Sequence, residues 1–247
     1  MTISALIIAR NEEKKIEECL SSLNFVDEIV VILDRSTDKT FKICKTFSNK
    51  IFTGEWTCEG ERRNFGIEKC SSEWIFEIDA DEIISKDLAR EVKKKIRLHK
   101  FDYFYIPLMN HIYSKPIKYG WMACLAPDGK FCVFKKQNKH WHKGLVHPSY
   151  SLKGEKGPMF ENYINHFMSK DISELLARFN RNSSLHAIEL KKTNKNFKKY
   201  FSLRKVFSRF IKSFFLRKGY KEGKMGLLIC ILNAVYPIVS AIKSKAD

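Results

Sequence analysis

The sequence contains neither of the common glycine-rich phosphate loops and no paired-cysteine motif. Neither G-x-x-x-x-G-K-[ST] nor G-x-G-x-x-G occurs among its 247 residues, which excludes the P-loop and dinucleotide-binding classes. The seven cysteines form no C-x-x-C pair and are odd in number. We therefore expect buried thiols in a reducing cytosol rather than a disulfide framework.

Signals for secretion and for lipid attachment are also missing. Residues Met1–Ala9 lack the basic stretch that begins a signal peptide, and Thr2 stands where myristoylation requires glycine. The last residues, Lys245–Asp247, contain no prenylation motif. We therefore expect neither a signal peptide nor these lipid anchors.

Positive charge is abundant but very unevenly distributed. The chain carries a formal net charge of +17, yet residues 1–100 hold 18 basic against 19 acidic side chains. Residues 191–224 hold 13 basic side chains and a single acid, Glu222. Because the excess belongs to one C-terminal segment, it predicts an appended surface for an anionic partner.

Strand and helix patterns alternate through the first hundred residues, which predicts an α/β fold with a mostly parallel sheet flanked by helices. The predicted strands are Ser4–Ala9, Asp27–Leu33, Lys50–Thr53 and Trp74–Asp79. The predicted helices begin at Asn11, at Ser36 or Thr37, at Gly60 and at Ser85. Beyond residue 100 we expect strands at Tyr103–Met109 and Phe131–Phe134 and a helix from Asp171.

A tight cluster of acids follows the fourth predicted strand. Asp79, Asp81 and Glu82 lie within four residues and would repel one another without a cation or a donor-rich ligand. If the chain stays extended, Asp79 and Asp81 point to the same side. Two such carboxylates suit Mg²⁺ or Mn²⁺, which prefer oxygen ligands and often share substrate phosphates. The alternative is a strand end with solvated acids.

Polar residues also follow the first two predicted strands. Arg10, Asn11 and Glu12 come after the first strand, and Asp34 ends the second. Ligands of open parallel sheets bind beyond the carboxyl ends of the strands. These residues and the acid cluster therefore predict a site for a nucleoside diphosphate at one edge of the sheet.

The ordered motifs Ala9–Glu13, Asp34, Arg63-Asn64 and Trp74…Asp79-Ala80-Asp81-Glu82 resemble those of family 2 glycosyltransferases. More narrowly, the chain is similar to bacterial lipopolysaccharide core β-glucosyltransferases over roughly residues 3–190. The resemblance implies a GT-A fold and a hexosyltransferase that moves a sugar from a nucleoside-diphosphate sugar with inversion. A UDP-sugar is the expected donor, and a cell-envelope glycan or lipid-linked acceptor the expected acceptor.

The resemblance also implies roles for individual residues. Asp34 would contact the base, Asp79 would lie near the ribose, and Arg63 would approach the diphosphate. Asp81 would bind Mg²⁺ or Mn²⁺, with His166 as a candidate further ligand. The nucleotide pocket would be lined by Ala9, Arg10, Asn11 and Glu12.

The catalytic base is left open between several residues. Relatives often carry Gly-x-Val-His-Glu, but here Pro148 follows His147 where the glutamate would stand. We name Asp128 as the candidate base, with Glu155 and Glu161 as alternatives. His147 is a further candidate catalytic residue, which like His166 could complete the metal shell or contact the acceptor. Each could instead be an ordinary turn, surface or structural residue.

The C-terminal segment combines its positive charge with many phenylalanines. An amphipathic helix of this composition is typical of an anionic membrane interface. The apolar stretch Met225–Ile242 is at the short limit for spanning a bilayer, and Asn233 and Pro237 weaken that interpretation. We expect this helix to pack on the protein or to embed in one leaflet.

These patterns lead to a division into a catalytic domain and a tail. We expect a catalytic domain over 1–190, with a nucleotide-binding half at 1–100 and an acceptor-side half at 101–190. A helical, membrane-associating extension over 191–247 would hold the protein at the inner face of the cytoplasmic membrane. The alternative is a nucleic-acid-binding module that uses the basic, aromatic tail. Because that alternative leaves the strand-end acids unexplained, we expect no nucleic-acid partner.

Overall fold

The chain forms two compact units, each assembled from separate stretches of sequence. The computed structural model describes residues 1–144, 148–192 and 201–245. The first unit comprises Met1–Leu108 and Gly129–His166, and the second comprises Met109–Asp128 and Phe167–Asp247. These units are defined by contacts within the structure, whereas the predicted boundary at residue 190 separates a catalytic part from a membrane-associating part. The boundary at residue 190 therefore stays a prediction.

Strands and helices alternate in the first hundred residues, as predicted. The strands are β1 Ile3–Ala9, β2 Glu28–Asp34, β3 Lys50–Gly54, β4 Trp74–Asp79, β5 Glu82–Ile83, β6 Tyr103–Ile112, β7 Lys115–Ile117, β8 Gly129–Lys135, β9 Lys139–Trp141, β10 Tyr150–Leu152 and β11 Ile164–Ser169. The helices are α1 Ile16–Ser21, α2 Thr40–Cys44, α3 Glu59–Lys69, α4 Lys86–Ile96, α5 Ile172–Lys192, α6 Leu203–Ile211 and α7 Gly223–Lys243.

The main sheet is parallel where the sequence predicts it to be. Its strands follow the order β3-β2-β1-β4-β8-β6-β11-β5, and β7 pairs with β6. Strands β1 to β4 run parallel to their neighbours, whereas β8 joins β4 in the antiparallel sense. Strands β1, β2 and β4 are almost entirely buried, as expected of parallel strands covered by helices on both faces.

The helix after β1 begins later than predicted. The sequence predicts a helix start at Asn11, but α1 begins at Ile16. Asn11 has a left-handed backbone with φ of 55°, and its Oδ1 accepts a hydrogen bond from the Thr37 backbone N–H. The predicted cap is wrong because asparagine tolerates this conformation and its side chain bonds a neighbouring loop instead.

The start of α2 also differs from the prediction, whereas that of α4 agrees. Helix α2 begins at Thr40, whose backbone N–H donates to Asp38 Oδ1 at 3.0 Å, so neither Ser36 nor Thr37 caps it. Ser85 does cap α4, because its Oγ accepts a hydrogen bond from the Leu88 backbone N–H.

Glu28, at the amino end of β2, gathers several hydrogen bonds. Its carboxylate accepts from Lys50 Nζ, Ser4 Oγ and the Ser71 backbone N–H. Partial burial would raise the pKa of Glu28, but these donors lower it from an ordinary value of 4.5 to about 2. The ionised carboxylate therefore stabilises the folded state at neutral pH.

Replacing Glu28 with glutamine is expected to lower the free energy of unfolding by about 1–3 kcal/mol at pH 7. The stabilisation is complete above the unfolded-state pKa of Glu28, near 4.5, and disappears as the pH falls towards 2. Urea unfolding of both proteins at pH 7 and at several lower values measures the difference. Glu73→Gln, at an exposed position, serves as the control. A difference between Glu28→Gln and wild type that did not change with pH would contradict the explanation.

The second unit is built around the apolar helix α7. Ile229 and Leu232 of this helix pack with Trp121, Leu125 and Leu175 in one buried cluster. Trp121 Nε1 donates to a backbone carbonyl of the same unit, so the ring is buried with its polar atom satisfied. The core of this unit thus joins its two separate sequence stretches.

The polar residues of α7 face the interior of the second unit. Asn233 is fully buried, and its Nδ2 donates to Gly120 O at 2.9 Å and to Ser213 Oγ at 3.1 Å. Tyr236 donates from its hydroxyl to Asn182 O. These contacts explain why an apolar helix carries polar residues, since each is satisfied by a partner within the fold.

One helical stretch in the described part of the chain, Gly219–Lys243, is long and apolar enough to cross a membrane. Half of its most apolar 18-residue window is buried within the protein. A core helix of a soluble protein has the same length and composition, so these two properties alone do not define a membrane span.

Candidate functional site

Three predicted site residues lie at the carboxyl ends of adjacent parallel strands. β1 lies between β2 and β4, and the register pairs Ala9 with Leu33 and Ile8 with Asp79. Asp34 is the last residue of β2, and Asp79 is the last residue of β4. The fold therefore brings Ala9, Asp34 and Asp79 to one edge of the sheet, where ligands of such sheets bind.

The loop after β1 is fastened to the start of α2. Glu12 donates its backbone N–H to Thr40 Oγ1 at 2.9 Å, which holds the loop close to the end of β2. Ala9 is buried in the core, whereas Arg10 and Asn11 are exposed. A ligand at this edge would therefore meet the side chains of Arg10 and Asn11 rather than that of Ala9.

Asp34 is buried and bonded to two arginines. Arg62 Nη1 lies 2.7 Å from Asp34 Oδ2, and Arg35 contacts both carboxylate oxygens at 3.0 Å. The Trp56 backbone N–H donates to Oδ1 at 3.4 Å. These contacts use the roughly four acceptor positions of a carboxylate. A nucleotide base that bonds Asp34 must therefore displace one of these donors. Arg35 is the easier one to displace, because it is the more exposed of the two arginines.

The chain turns sharply between Asp79 and Glu82. Strand β4 ends at Asp79, Ala80 and Asp81 form a turn, and β5 begins at Glu82. The Asp79 backbone N–H donates to Glu82 Oε2 at 2.9 Å, which closes the turn. The chain therefore does not stay extended through Asp81, which was the condition for Asp79 and Asp81 to share one face of a strand.

Lys130 of β8 bridges the first and last acids of this turn. Its Nζ lies 3.1 Å from Asp79 Oδ2 and 2.6 Å from Glu82 Oε2. Burial would raise the pKa of Asp79, but Lys130 and Arg63 hold it well below its ordinary value. Burial raises the pKa of Glu82 to about 7, against the opposing effect of Lys130. The Asp79 carboxylate is thus ionised, and its charge is balanced by Lys130 and Arg63. Since 37% of its side chain is exposed to solvent, a ligand can reach it.

Arg63 is held among carboxylates on the inner side of α3. Its Nη2 lies 2.8 Å from Glu59 Oε1 and 3.3 Å from Asp79 Oδ1. The guanidinium also stacks over the Trp141 ring at 4.8 Å from the centroid. Burial would lower the pKa of Arg63, but the neighbouring acids raise it above its ordinary value. The structure therefore places Arg63 beside Asp79, at the strand end where the diphosphate contact is predicted.

Glu77, which precedes Asp79 by two residues on the same face of β4, forms a second buried ion pair with Lys139. Glu77 and Lys139 are 2% and 6% exposed, and Lys139 Nζ bonds the Glu77 carboxylate and Phe131 O. Trp141 Nε1 donates to Glu77 Oε1 at 2.9 Å. Desolvation lowers the pKa of Lys139, and the Glu77 charge opposes that shift. This pair joins β4 to β9 beneath the charged strand end.

Asp81 and His166 come together although they are far apart in sequence. His166 Nε2 lies 3.4 Å from Asp81 Oδ2, and the two side chains are 7% and 12% exposed. The antiparallel pairing of β5 with β11 sets Glu82 opposite His166, which brings the preceding Asp81 alongside. One carboxylate and one imidazole therefore converge at the predicted metal position.

These two side chains fit a cation that is bound together with a ligand. Carboxylate oxygen and imidazole nitrogen are both ligands of divalent metals such as Mn²⁺. Within residues 1–144, 148–192 and 201–245, no group of three or more His, Cys, Asp or Glu side chains could hold a metal ion. A cation at Asp81 and His166 would therefore need further oxygens, which substrate phosphates commonly supply.

The candidate bases and His147 lie in different parts of the chain. Asp128 belongs to the second unit, where its Oδ2 lies 3.0 Å from Arg217 Nη1 and its side chain is 63% exposed. His147 falls in 145–147, outside the described residues. Glu155 and Glu161 are exposed in the first unit. The identity of the base therefore stays a prediction.

Sequence reasoning missed the cations that compensate these acids, namely Arg62, Lys130 and Lys139. The two lysines gave no local signal, because Lys130 lies between half-buried Gly129 and Phe131, and Lys139 is followed by exposed His140. Glu77 and Asp79 alternate onto the same face of β4, which could have indicated where such partners were needed.

A sequence model of glycosyl transferase family 2 matches residues 4–151 of the chain. This range contains Asp34, Arg63, Asp79 and Asp81 with their strands, and leaves out His166. The match thus covers more than half of the protein and most of the site.

Two relatives match along nearly the whole chain. An uncharacterised glycosyltransferase of Rickettsia typhi is 28% identical over 241 residues, which cover 94% of this chain and 82% of that protein. The lipopolysaccharide core biosynthesis glycosyltransferase LpsC of Rhizobium meliloti is 24% identical over 250 residues, which cover 98% and 92%.

The crystal structure of Staphylococcus aureus TarS residues 1–349 in complex with UDP resembles this protein with a TM-score of 0.50. It is 15% identical, and the alignment covers 100% of this chain and 91% of that one. At this identity the likeness concerns the fold alone, and it confirms the predicted GT-A architecture. The protein is therefore a glycosyltransferase with a GT-A fold, and it belongs to glycosyl transferase family 2.

Proposed function

We propose that this enzyme transfers a hexose, with inversion, from a UDP-sugar to a cell-envelope glycan or a lipid-linked acceptor such as lipopolysaccharide core. The name of LpsC supports the acceptor class, since that relative acts in lipopolysaccharide core biosynthesis. The UDP bound to TarS supports the nucleotide. The acceptor class and the nucleotide are thus both inferred from related proteins, and the experiment below tests the nucleotide.

The meeting of Asp81 and His166 beside the strand ends is the observation that carries the proposal. A nucleotide sugar presents a base, a ribose and a diphosphate in a row. The ends of β2, β1 and β4 present Asp34, the Arg10 loop and Asp79 in a row, and Asp81 follows directly. In this arrangement Asp34 corresponds to the base, Asp79 to the ribose, and the Asp81–His166 pair to the diphosphate.

In this proposal Asp34 bonds the uracil after Arg35 has moved, and Asp79 accepts hydrogen bonds from the ribose hydroxyls. Asp81 and His166 hold Mg²⁺ or Mn²⁺ next to the diphosphate. When bound, such a cation neutralises negative charge on the departing diphosphate. Arg63 supplies a fixed positive charge at the same strand end, where a planar guanidinium suits phosphate oxygens.

The proposal also assigns a location to the enzyme. A lipid-linked acceptor is reached at a membrane, and the basic C-terminal segment 191–247 offers positive charge for an anionic lipid surface. We therefore place the enzyme in the cytoplasm, bound peripherally to the inner face of the cytoplasmic membrane. Residues 1–190 would then form the catalytic part.

A melting-temperature screen of nucleotide sugars tests the donor assignment. UDP-sugars with Mn²⁺ are expected to raise the Tm by several degrees, because a ligand that binds only the folded state adds to its stability. The same sugars in EDTA, and sugars carried on GDP, ADP or CMP, are expected to raise it less. If no nucleotide sugar changes the Tm in either condition, the donor proposal is wrong.

Two variants of the same exposed loop sharpen this screen. Arg10→Ala is expected to reduce the shift produced by the UDP-sugar, because the Arg10 side chain is exposed at the edge where the nucleotide is proposed to bind. Lys14→Ala removes a neighbouring exposed cation and serves as the matched control. An equal reduction in both variants would indicate a general charge effect instead of a contact at Arg10.

A further inference from the structure

Helix α6 and the turn after it expose an unusual set of large apolar side chains. None of the nine described residues of α6 is buried. Leu203 is 78% exposed, Phe207 68% and Leu216 74%, and Phe215 is also exposed. Contiguous apolar exposure on this scale marks an interaction surface. We call the segment Leu203–Leu216 the apolar strip.

The apolar residues of the strip share one side of the helix. Leu203, Val206, Phe207 and Phe210 follow the i, i+3, i+4, i+7 spacing of a helix face. Phe214 stacks on Phe210 with ring centroids 5.3 Å apart, so the face continues into the turn Lys212–Leu216.

The positive charges around the strip fall into two groups with different environments. Arg209 and Arg217 are bonded inward, the first to Asn233 O and the second to Trp121 O. The other group is exposed: Arg204, Lys205 and Lys212 lie within the strip, and Lys218 and Lys221 follow it in the sequence.

Acids are scarce in the sequence around the strip. Glu222 accepts hydrogen bonds from the backbone N–H groups of Lys118 and Tyr119, within the second unit. It is the one acid in residues 191–224. The strip therefore presents apolar side chains flanked by positive charge.

An anionic lipid surface fits both properties at once. An amphipathic helix with a cationic border buries its apolar face at the level of the headgroups, and the cations remain among lipid phosphates. A single-stranded nucleic acid would use the cations but would leave Leu203 and Leu216 unexplained, because aliphatic side chains offer no ring for base stacking.

We infer that the apolar strip lies flat in the surface of an anionic phospholipid bilayer and anchors the protein there without crossing it. Helix α7 supports this mode of attachment, because Asn233 and Tyr236 are satisfied inside the second unit. The inference rests on the proposed function in one respect, since a lipid-linked acceptor explains why the enzyme would bind a membrane. The contact itself is a property of the second unit.

Vesicle co-sedimentation of the full chain at physiological salt tests the inference. The probes are vesicles of phosphatidylcholine alone and of an equimolar mixture with phosphatidylglycerol. Wild type is expected to bind the mixed vesicles at least about tenfold more tightly than phosphatidylcholine alone. The triple variant Leu203→Ser, Phe207→Ser, Leu216→Ser is expected to lose on the order of 100-fold in binding.

Matched controls distinguish binding through the apolar strip from non-specific hydrophobic binding and from an effect of misfolding. Leu98→Ser with Met159→Ser removes exposed apolar side chains from the first unit and is expected to bind as wild type does. Because the three strip positions are exposed, the triple variant should keep the wild-type Tm. Its donor-induced Tm shift should also persist, so a failed donor assignment and a failed membrane assignment give different results.

Three outcomes would overturn the inference. The first is equal vesicle binding by wild type and a normally folded triple variant. The second is no preference of wild type for the vesicles that contain phosphatidylglycerol. The third is displacement of wild type from these vesicles by single-stranded RNA at physiological salt, which would favour a nucleic-acid surface.

Discussion

Replacing Asp81 with asparagine is expected to lower release of sugar from the UDP-sugar about 100-fold or more. Asparagine keeps the shape of the side chain but removes the negative charge that lies 3.4 Å from His166. Losing a metal ligand removes part of the charge stabilisation of the departing diphosphate, which contributes several kcal/mol in metal-assisted reactions. Turnover is measured with the donor that the melting screen identifies, across a range of Mn²⁺ concentrations.

The Mn²⁺ dependence separates a metal ligand from a merely structural residue. Asp81→Asn should need more Mn²⁺ for half-maximal turnover, and His166→Ala should change turnover in the same direction. Asp87→Asn removes an exposed acid of α4 and should leave turnover unchanged. Wild-type turnover by Asp81→Asn would refute the role that we propose for this residue.

Replacing Lys139 with methionine is expected to destabilise the fold by about 3–5 kcal/mol. The substitution removes the ammonium that bonds the buried Glu77 carboxylate and leaves it with the Trp141 hydrogen bond and with Arg63, whose Nη1 lies 3.6 Å from Glu77 Oε1. Losing the bonded cation of a buried carboxylate is far more costly than losing an exposed ion pair. Urea unfolding followed by circular dichroism measures the change in the free energy of unfolding.

The partner substitution provides the control for this prediction. Adding Glu77→Gln to Lys139→Met removes the buried negative charge that has lost its bonded lysine and still offers an oxygen to Trp141 Nε1. This double variant should therefore recover most of the lost stability. Arg90→Met breaks an exposed pair with Asp87 and should have no measurable effect. A double variant as unstable as Lys139→Met alone would show that packing, not charge, is responsible.

The edge of the sheet that carries the site could be predicted from the sequence, because its signals are local. An apolar run that ends in an acid predicts both the strand and its carboxyl end, as at Asp34 and Asp79. The loop after β1 was predicted less well. Asn11 is a common helix cap, and its left-handed conformation depends on contacts with the loop after β2 that leave no local trace.

The contacts of the charged residues depend on the fold and could not be predicted. Arg62 and Arg63 are neighbours on α3, yet the first bonds Asp34 and the second bonds Asp79, because successive helical residues point about 100° apart. The meeting of Asp81 with His166 depends on β5, a strand of two residues that is too short to produce a periodic pattern.

The discontinuous second unit has a consequence for the order of events during synthesis. Trp121 and Leu125 pack against Ile229 and Leu232, but the ribosome makes residues 129–222 in between. At translation rates of about 5–20 residues per second, that interval lasts roughly 5–20 seconds. During this interval Trp121 of the nascent chain lacks the α7 residues that bury it in the folded protein. The core of the second unit can therefore be completed only after α7 has left the ribosome. A premature stop before residue 223 would release a chain whose second core can never close.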